Sequence, residues 1–259
     1  YLIAEIIAIP LTALLTRVFS MRLLFAGATI LFTVASIACA MSFDFTSMII
    51  ARSVQGFAGG ILIPLVFAAV FLLFPKSQEA VATTTGGMLA VLAPTLGPLA
   101  GGWITENLSW HWLFLINVIP GIAALIVGLV CLPRAATALR ELRYLDWASL
   151  LALAAGLAAF QIGLKNAPKE GWDSIYVLPC LALFVALASF FIVRGLRNAH
   201  PIVELHLFGD RTFLTGCIMS FVLGAGLFGS VYLLPVFLAF VRGHGPLAIG
   251  IIMLVIIIV

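Results

Sequence analysis

The chain has 259 residues, of which 64% are hydrophobic and only 9% are charged. Water-soluble domains are about half apolar and about a quarter charged, so this composition excludes one and requires lipid as the solvent for much of the surface. The formal net charge of +3 is small, and it gives no indication of a nucleic-acid partner.

Apolar runs long enough to cross a bilayer recur along the whole chain. A hydrocarbon core about 30 Å thick requires about 20 apolar residues per helix. This criterion predicts seven complete spans and two partial ones at the ends of the chain. In order they are 1–15, 23–42, 46–74, 80–104, 113–132, 147–164, 175–193, 212–240 and 247–259. Short connectors between them predict an all-α polytopic bundle, and the apolar ends suggest an internal fragment of a longer protein.

The basic residues predict the orientation of these spans, because cytoplasmic loops collect lysine and arginine. With the first connector inside, the inner loops contain nine basic residues: Arg17, Arg22, Lys76, Arg134, Arg140, Arg143, Arg194, Arg197 and Arg211. The outer loops then contain three: Lys165, Lys169 and Arg242. The inner loop 133–146 has two interpretations, a short amphipathic surface helix or a solvated linker.

Glu5 is an ionisable residue inside the first predicted span. It lies twelve residues before Arg17, which corresponds to roughly 18 Å at a rise of 1.5 Å per residue. A carboxyl group at that depth must be protonated, paired or in contact with water. Glu5 is therefore either a proton-coupling or substrate-contacting acid, or a neutral packing residue.

Arg52 lies about two turns into the third predicted span and keeps its charge at accessible pH. One interpretation is that the side chain extends to the outer surface. The neighbouring residues favour a helix that lines a cavity, because Gln55 follows at i+3. Gly56 and Gly60 also form a small-xxx-small pair, which allows another backbone to approach closely.

The stretch LAPTLGPLAGGW, residues 92–103, combines helix-breaking residues with a bare helix face. Gly97 and Gly101 lie one turn apart, and so do Pro94 and Pro98, so the two prolines are expected to bend the helix in one direction. Bent helices at membrane depth occur where transporters keep a moving interface or a cavity. A tight, static helix crossing is the alternative.

These motifs together resemble those of a known family. RSVQGFAGG, residues 52–60, resembles the fourth-helix motif R-x-x-Q-G-x-G of the major facilitator superfamily. APTLGPLAGG, residues 93–102, resembles its antiporter motif G-x-x-x-G-P-x-x-G-G, with alanine at the first glycine position. WHWLFLINVIPGI, residues 110–122, resembles the W-R-W-x-F-x-I-N-V-P signature of the fourteen-helix drug:proton antiporters of the EmrB/QacA type. The resemblance covers essentially the whole chain.

The resemblance implies a partial major facilitator fold, in which two six-helix bundles flank an extra helix pair. Residues 1–132 would contain helices two to six of the N-terminal bundle, and 147–193 would be the extra pair. Residues 212–259 would begin the C-terminal bundle. The segments 133–146 and 194–211 would be cytoplasmic linkers.

The resemblance also implies a function, which is proton-coupled multidrug efflux across the bacterial inner (cytoplasmic) membrane by alternating access. The proton would be the coupling ion, with no cofactor and no metal. The implied partners are amphiphilic small molecules and the lipid bilayer, and a periplasmic adaptor with an outer-membrane channel is an open possibility. Export of a physiological metabolite, lipid or siderophore is the alternative on the same fold.

The motifs assign expected roles to particular residues. The proton-coupling cavity would contain Glu5, Arg52 and Gln55, with Arg52 biasing the protonation of a nearby carboxyl group. The inner-loop gate would involve Arg17 and Arg22, although Arg17 occupies a position where the family motif has an acid. The remaining assignments are the antiporter motif, Pro94, Gly97, Pro98, Gly101 and Gly102, and the signature residues Trp110, Trp112 and Asn117.

A membrane enzyme is the competing class, with a scaffold or sensor as a further possibility. An enzyme would need histidine, serine, cysteine or carboxylate side chains that converge at one depth. The four histidines fall in predicted loops on both sides of the membrane, and no HExxH, nucleophile elbow or phosphate-binding loop occurs. We therefore predict that the chain is not an enzyme and has no metal site.

Overall fold

The structure, a computed structural model, describes residues 1–134, 146–198 and 201–258. The side chains of Arg17, residues 91–95 and residues 254–258 are outside this description. The described residues form helices joined by short connectors and contain no strand, which confirms the predicted all-α class. The helices are α1 (Leu2–Val18), α2 (Met21–Ala40), α3 (Phe45–Leu73), α4 (Lys76–Asn107), α5 (Trp112–Leu115), α6 (Val118–Cys131), α7 (Trp147–Glu170), α8 (Val177–Arg197), α9 (Arg211–Phe240) and α10 (Pro246–Ile258).

Every predicted span falls on a helix of the structure. The predicted span 113–132 is divided, because a turn at 116–117 separates α5 from α6. In the part of the chain that was described, six stretches are long and apolar enough to cross a membrane: Met21–Ala40, Phe45–Leu73, Trp112–Cys131, Trp147–Glu170, Val177–Arg197 and Arg211–Phe240. Leu2–Thr16 is a shorter apolar helix. The chain is a multi-pass membrane protein.

Side-chain caps determine where several helices begin. Ser20 accepts a hydrogen bond from the Leu23 amide at the start of α2, at 3.3 Å. Asp146 and Asp210 accept amide hydrogen bonds from Ser149 and Thr212, at 3.2 and 2.7 Å, and so begin α7 and α9. Each cap satisfies a backbone donor that the first turn of a helix leaves without an intrahelical partner.

The chain divides into two compact units. Unit 1 contains Tyr1–Ala69 and Val118–His206, and unit 2 contains Val70–Asn117 and Leu207–Val259. Within unit 1, α7 packs on α8 and α1, and α2 packs on α6. Within unit 2, α10 packs on α4 and α9. Unit 2 contains α4 and α5 together with α9 and α10. The division into two bundles, two linkers and an extra helix pair stays a prediction.

The helix crossings of unit 1 are built around small residues. One buried cluster contains Ala8 of α1, Ala28 of α2 and Ile61 and Leu65 of α3. In a membrane, small side chains strengthen helix association because they allow backbones to approach closely. This cluster therefore brings α1, α2 and α3 together around the predicted cavity residues.

The two predicted linkers have different outcomes. The segment 133–146 was predicted to be either a short surface helix or a solvated linker. Most of it, residues 135–145, lies outside the described residues. In the segment 194–211, α8 continues to Arg197 and a 3-10 turn occupies Leu205–Gly209. Ile202 in the same segment is buried, with 5% of its surface exposed, so this segment is not simply a solvated connector.

Candidate functional site

α1 and α3 approach each other with their backbones in contact, as the small-xxx-small pair predicts. A Cβ atom at Gly56 would overlap the carbonyl group of Tyr1, and one at Gly60 would overlap the carbonyl group of Glu5. The same position on Gly60 lies 2.8 Å from the Cβ atom of Ala8. Only glycine fits at these two positions, so the α1 backbone around Glu5 is fixed against α3.

Arg52 lies at the end of this contact, where its side chain contacts a polar residue and an aromatic residue. Its Nη1 atom donates a hydrogen bond of 2.6 Å to Oε1 of Gln55. Its guanidinium carbon lies 4.4 Å from the centroid of the Tyr1 ring, a distance typical of a cation–π contact. The side chain is therefore directed along the α1–α3 contact.

Gln55 links Arg52 to α2. It is 1% exposed, and its Nε2 atom donates a 2.5 Å hydrogen bond to the hydroxyl of Ser36, which is fully buried. The thiol of Cys39, also fully buried, lies 3.9 Å from Gln55 Oε1. Buried polar groups are costly without partners, and this network provides partners for both ends of the Gln55 amide.

Three members of this network are absent from the sequence prediction. Ser36 and Cys39 lie on α2 and Tyr1 directly precedes α1, so all three are distant in sequence from the Arg52 motif. Ser36 and Cys39 are three residues apart, a spacing that places them on one helix face. That spacing indicates a polar face on α2, but it does not identify the helix that this face contacts.

The predicted antiporter motif lies in a continuous helix, since α4 extends through both prolines. The close contact is at Gly102, where a Cβ atom would lie 2.6 Å from the carbonyl oxygen of Pro246 on α10. In return, a Cβ atom at Gly250 of α10 would lie 2.5 Å from Cα of Leu99. Each of the two helices therefore places a glycine directly against the backbone of the other.

The other glycines of the motif are less constrained in the described residues. A Cβ atom at Gly101 would approach only Leu113, at 3.9 Å, and one at Gly97 would have no heavy atom within 4 Å. Pro98 contributes its carbonyl oxygen to the Gly250 contact, 2.9 Å from the added Cβ position. The side chain of Pro94 is among those outside the description. The close-packed face is thus the one that carries Pro98 and Gly102.

A carboxyl group and an apolar cavity adjoin this contact. Oε1 of Glu106 accepts a 3.1 Å hydrogen bond from the Leu247 amide, so a side chain of α4 caps the first turn of α10. A cavity of about 410 Å³ lies between α4, α9 and α10. Its lining residues are Pro98, Gly101, Gly102, Thr105, Pro235, Val236, Ala239, Phe240, Pro246 and Ile249.

The signature residues form the turn that follows α4. The Trp110 ring stacks on His111 with centroids 3.9 Å apart and meets Phe114 edge-on at 6.1 Å. Asn117 donates a hydrogen bond of 3.2 Å from Nδ2 to the carbonyl of Phe114, which closes the break between α5 and α6. Trp112 begins α5 and is exposed. These residues have a structural role in the turn.

The predicted inner-loop gate is only partly visible. Arg17 lies in α1 and its side chain is among those not described. Arg22 lies in the first turn of α2. A gating role for these two arginines stays a prediction.

The described residues contain no group of three or more histidine, cysteine, aspartate or glutamate side chains that could hold a metal ion. A proton as the coupling ion and the absence of a cofactor stay predictions. The hydrogen-bonded network around Gln55 contains one guanidinium, one amide, one hydroxyl and one thiol.

The model of the Major Facilitator Superfamily matches residues 1–259. The chain belongs to the major facilitator superfamily. This is a family of membrane transporters, which favours transport over the enzyme class. The recognised motifs, the helical fold and the membrane-competent helices all agree with this assignment.

Curated members of the superfamily resemble the chain along nearly its whole length. It is 38% identical over 258 residues to the "Colistin resistance protein EmrB" of Acinetobacter baumannii, covering 98% of this chain and 50% of that protein. It is 34% identical over 243 residues to the "Multidrug export protein EmrB" of Escherichia coli, covering 93% and 47%. It is 33% identical over 259 residues to the "Multidrug resistance protein B homolog" of Mycobacterium tuberculosis, covering 97% and 46%. The chain spans about half the length of these relatives.

Proposed function

We propose that this chain is part of a proton-coupled exporter of amphiphilic compounds in the bacterial inner membrane, working by alternating access. The observation that carries the proposal is the hydrogen-bonded network of Arg52, Gln55 and Ser36, which contacts Tyr1 at the start of the helix that carries Glu5. An arginine kept at membrane depth and oriented by buried partners is typical of an ion pathway or a substrate site. The names of the relatives support multidrug compounds as the substrate class.

The chemistry of the site fits a role for Arg52 as a fixed positive charge. Arginine does not release its proton at accessible pH, so another group must take up and release the coupling proton, and we assign this role to a carboxyl group. Glu5 is the acid of α1, and its backbone is locked against Gly60 of the helix that carries Arg52. We infer that protonation of Glu5 changes the electrostatic balance with Arg52 and favours one of two transport conformations.

The first test replaces Glu5 by glutamine in the full-length protein. Everted membrane vesicles should lose the uptake of a fluorescent lipophilic cation and the accompanying dissipation of the pH gradient. The protein level should stay normal, because glutamine retains the size and polarity of the side chain. Glu79→Gln, a change of a half-buried carboxyl group in the first turn of α4, is the control and should keep both activities.

Full transport by Glu5→Gln would remove Glu5 from the mechanism. If no lipophilic cation is transported by the unchanged protein, the alternative proposal applies, which is export of a physiological metabolite, lipid or siderophore. Comparing metabolites released by cells with and without the protein would then identify the substrate. A periplasmic adaptor and an outer-membrane channel stay predictions.

A further inference from the structure

Asp146, the residue before α7, accepts hydrogen bonds from three residues. Ser149 donates its amide to Oδ1 at 3.2 Å and its hydroxyl to Oδ2 at 2.7 Å. Arg194 of α8 donates Nε–H to the same two oxygens, at 2.9 and 2.7 Å. Asn198, just after α8, donates Nδ2–H to Oδ2 at 2.8 Å. Asp146 itself is 7% exposed, so one nearly buried carboxylate joins the beginning of α7 to the end of α8.

The charge on Asp146 is stabilised by these partners. The Arg194 guanidinium, with the Ser149 and Asn198 donors, holds the pKa of the Asp146 carboxyl well below its usual range, and burial opposes this only in part. A nearly buried carboxylate is tolerated when a cation and further hydrogen bonds satisfy its oxygens. Removing the carboxylate would remove the acceptor that Arg194 and Asn198 share.

The stretch 201–205, which follows soon after Asn198, packs against the same helices. Ile202 belongs to a buried cluster with Leu14 of α1, Leu150 of α7 and Phe191 of α8. Val203 and Leu205 also pack against this cluster. Gly195 provides space for Leu205, because a Cβ atom there would lie 3.0 Å from Leu205 Cδ1.

We propose that Asp146 is a positioning residue that holds the stretch 201–205 against α1, α7 and α8, so that these three helices move as one body. The physical reason is that a polar contact and an apolar contact hold different residues of this part of the chain. The residues 201–204 form no helix of their own, so side-chain contacts must hold them in place. Asp146 fixes the preceding Asn198 by a polar contact, and Ile202 fixes the stretch by an apolar one.

The part of this proposal that concerns movement rests on the proposed transport function. The part that concerns docking does not, since it describes unit 1 alone. The experiments are chosen so that the two parts can fail separately.

The first experiment measures how well the stretch 201–205 is protected. In the full-length protein with its native cysteines replaced, Ile202→Cys is reacted with a water-soluble maleimide. Adding Asp146→Ala should increase the labelling rate at least about tenfold, the factor that corresponds to a loss of about 1.4 kcal/mol in the free energy of local opening.

Asp210→Ala is the matched control for this experiment. Asp210 also caps a helix by accepting an amide hydrogen bond, at the start of α9, but it is exposed. It should leave the labelling of Ile202→Cys nearly unchanged. Equal labelling of the Asp146 and Asp210 variants would overturn the proposal.

A second pair of substitutions keeps the docking part testable if Ile202→Cys fails to fold. Gly195→Cys with Leu205→Cys should form a disulfide under mild oxidation, because the added Cβ at position 195 lies 3.8 Å from Cγ of Leu205, close to the place that a cysteine sulfur at position 205 would take. Asp146→Ala should slow this cross-linking. Cross-linking at the same rate with and without the Asp146 carboxylate would contradict the proposal.

The movement part is tested by spin labels at Ile9 of α1 and Leu196 of α8, two exposed positions. Their distance distribution should stay the same when a pH gradient and a transported lipophilic cation are added. Asp146→Ala should broaden it. A shift in the unsubstituted protein would show that α8 moves independently of α1. Loss of transport in every assay would contradict the proposed function while leaving the maleimide result valid.

Discussion

The α1–α3 contact and the α4–α10 contact are both built on glycine, but they differ in what surrounds the glycines. At the first, Gly56 and Gly60 touch the α1 backbone, and a buried network of Arg52, Gln55 and Ser36 continues the contact onto α2. At the second, backbone meets backbone at Gly102 and Gly250 beside an apolar cavity, with the Glu106 cap at one end. The buried hydrogen bond from Gln55 to Ser36 joins α3 to α2, and separating these two helices would leave polar groups unsatisfied in an apolar environment. At the α4–α10 contact, the hydrogen bond from Leu247 to Glu106 is exposed, so breaking it carries a smaller penalty.

The comparison indicates different tasks for the two regions. We expect the α1–α3 contact to keep the helix of Glu5 against the helix of Arg52 during transport. We expect the α4–α10 contact to slide or separate, as interfaces of bent or irregular helices do in transporters. Three substitutions test this difference, beginning with the largest expected effect.

Gly60→Val should have the largest effect, because the new side chain would occupy the space of the Glu5 carbonyl group and the Ala8 methyl group. The obstacle is helix backbone, which cannot rotate away as a side chain does. We expect the detergent-purified protein to lose at least about 3 kcal/mol of unfolding free energy, as large overpacking changes do. Thermal unfolding measures this loss.

Gly97→Ala is the matched control for that substitution, since the added methyl group would have no described neighbour within 4 Å. Its melting temperature should be unchanged or slightly higher, because alanine favours a helix over glycine by about 1 kcal/mol. If the Gly60→Val protein had the same melting temperature as the Gly97→Ala protein, the α1–α3 contact would not be fixed.

Gly102→Ala should have an intermediate effect that concerns transport more than folding. The added methyl group would press on the Pro246 carbonyl and force α4 and α10 apart by a small distance. We expect the export rate to fall about tenfold, which corresponds to about 1.4 kcal/mol in the barrier between conformations. Export of a fluorescent lipophilic cation measures the rate.

The neighbouring substitution Gly101→Ala provides the comparison, since its methyl group would touch only Leu113, at ordinary van der Waals distance. Its export rate should stay within about twofold of the unchanged protein, a barrier change of about 0.4 kcal/mol. Equal rates for the two alanine variants would show that the α4–α10 backbone contact does not limit transport.

Glu106→Ala should have the smallest effect. The exposed cap on the first turn of α10 contributes about 0.5–1 kcal/mol, the usual contribution of such a carboxylate to a helix N-terminus. We expect faster hydrogen exchange at the Leu247 amide, with the melting temperature nearly unchanged. Glu106→Gln keeps an acceptor oxygen and should preserve most of the protection. If the Leu247 amide exchanged at the same rate in Glu106→Ala as in the unchanged protein, the Glu106 hydrogen bond would not stabilise the first turn of α10.

The sequence predicts the positions of the helices well and their neighbours poorly. Hydropathy places all nine apolar segments on helices. Six stretches of the described residues are long and apolar enough to cross a membrane, and the predicted span 80–104 is not one of them. The Gly56 and Gly60 pattern predicts a close backbone contact, and the structure has one. The partner helix is not predictable from that pattern, since many helices could present a backbone at the same depth.

For the antiporter motif, the sequence likewise does not predict which residues make the contact. Its glycines lie on adjacent faces of α4, and the sequence does not indicate which face meets α10. The structure selects Gly102, whose partner Pro246 is more than a hundred residues away, and leaves Gly97 without a described neighbour. A substitution at Gly102 is therefore a sharper test of the motif than one at Gly97.

The Asp146 contacts were not predictable for a related reason. The sequence shows an aspartate before an apolar run with a serine three residues later, which indicates a helix cap. It does not show that Arg194 and Asn198 return to the same carboxylate, because that depends on the loop that turns α7 back onto α8.

The span of these contacts along the chain has a consequence for biosynthesis. Arg194 and Asn198 follow Asp146 by 48 and 52 residues. A ribosome that adds about 5–20 residues per second needs about 3–10 s to make the second of these partners after the aspartate. During that interval, the carboxylate must remain hydrated at the membrane surface. The nascent α7 therefore cannot be drawn deeper into the bilayer, and the completed hairpin gains its last bonds only after α8 has been inserted.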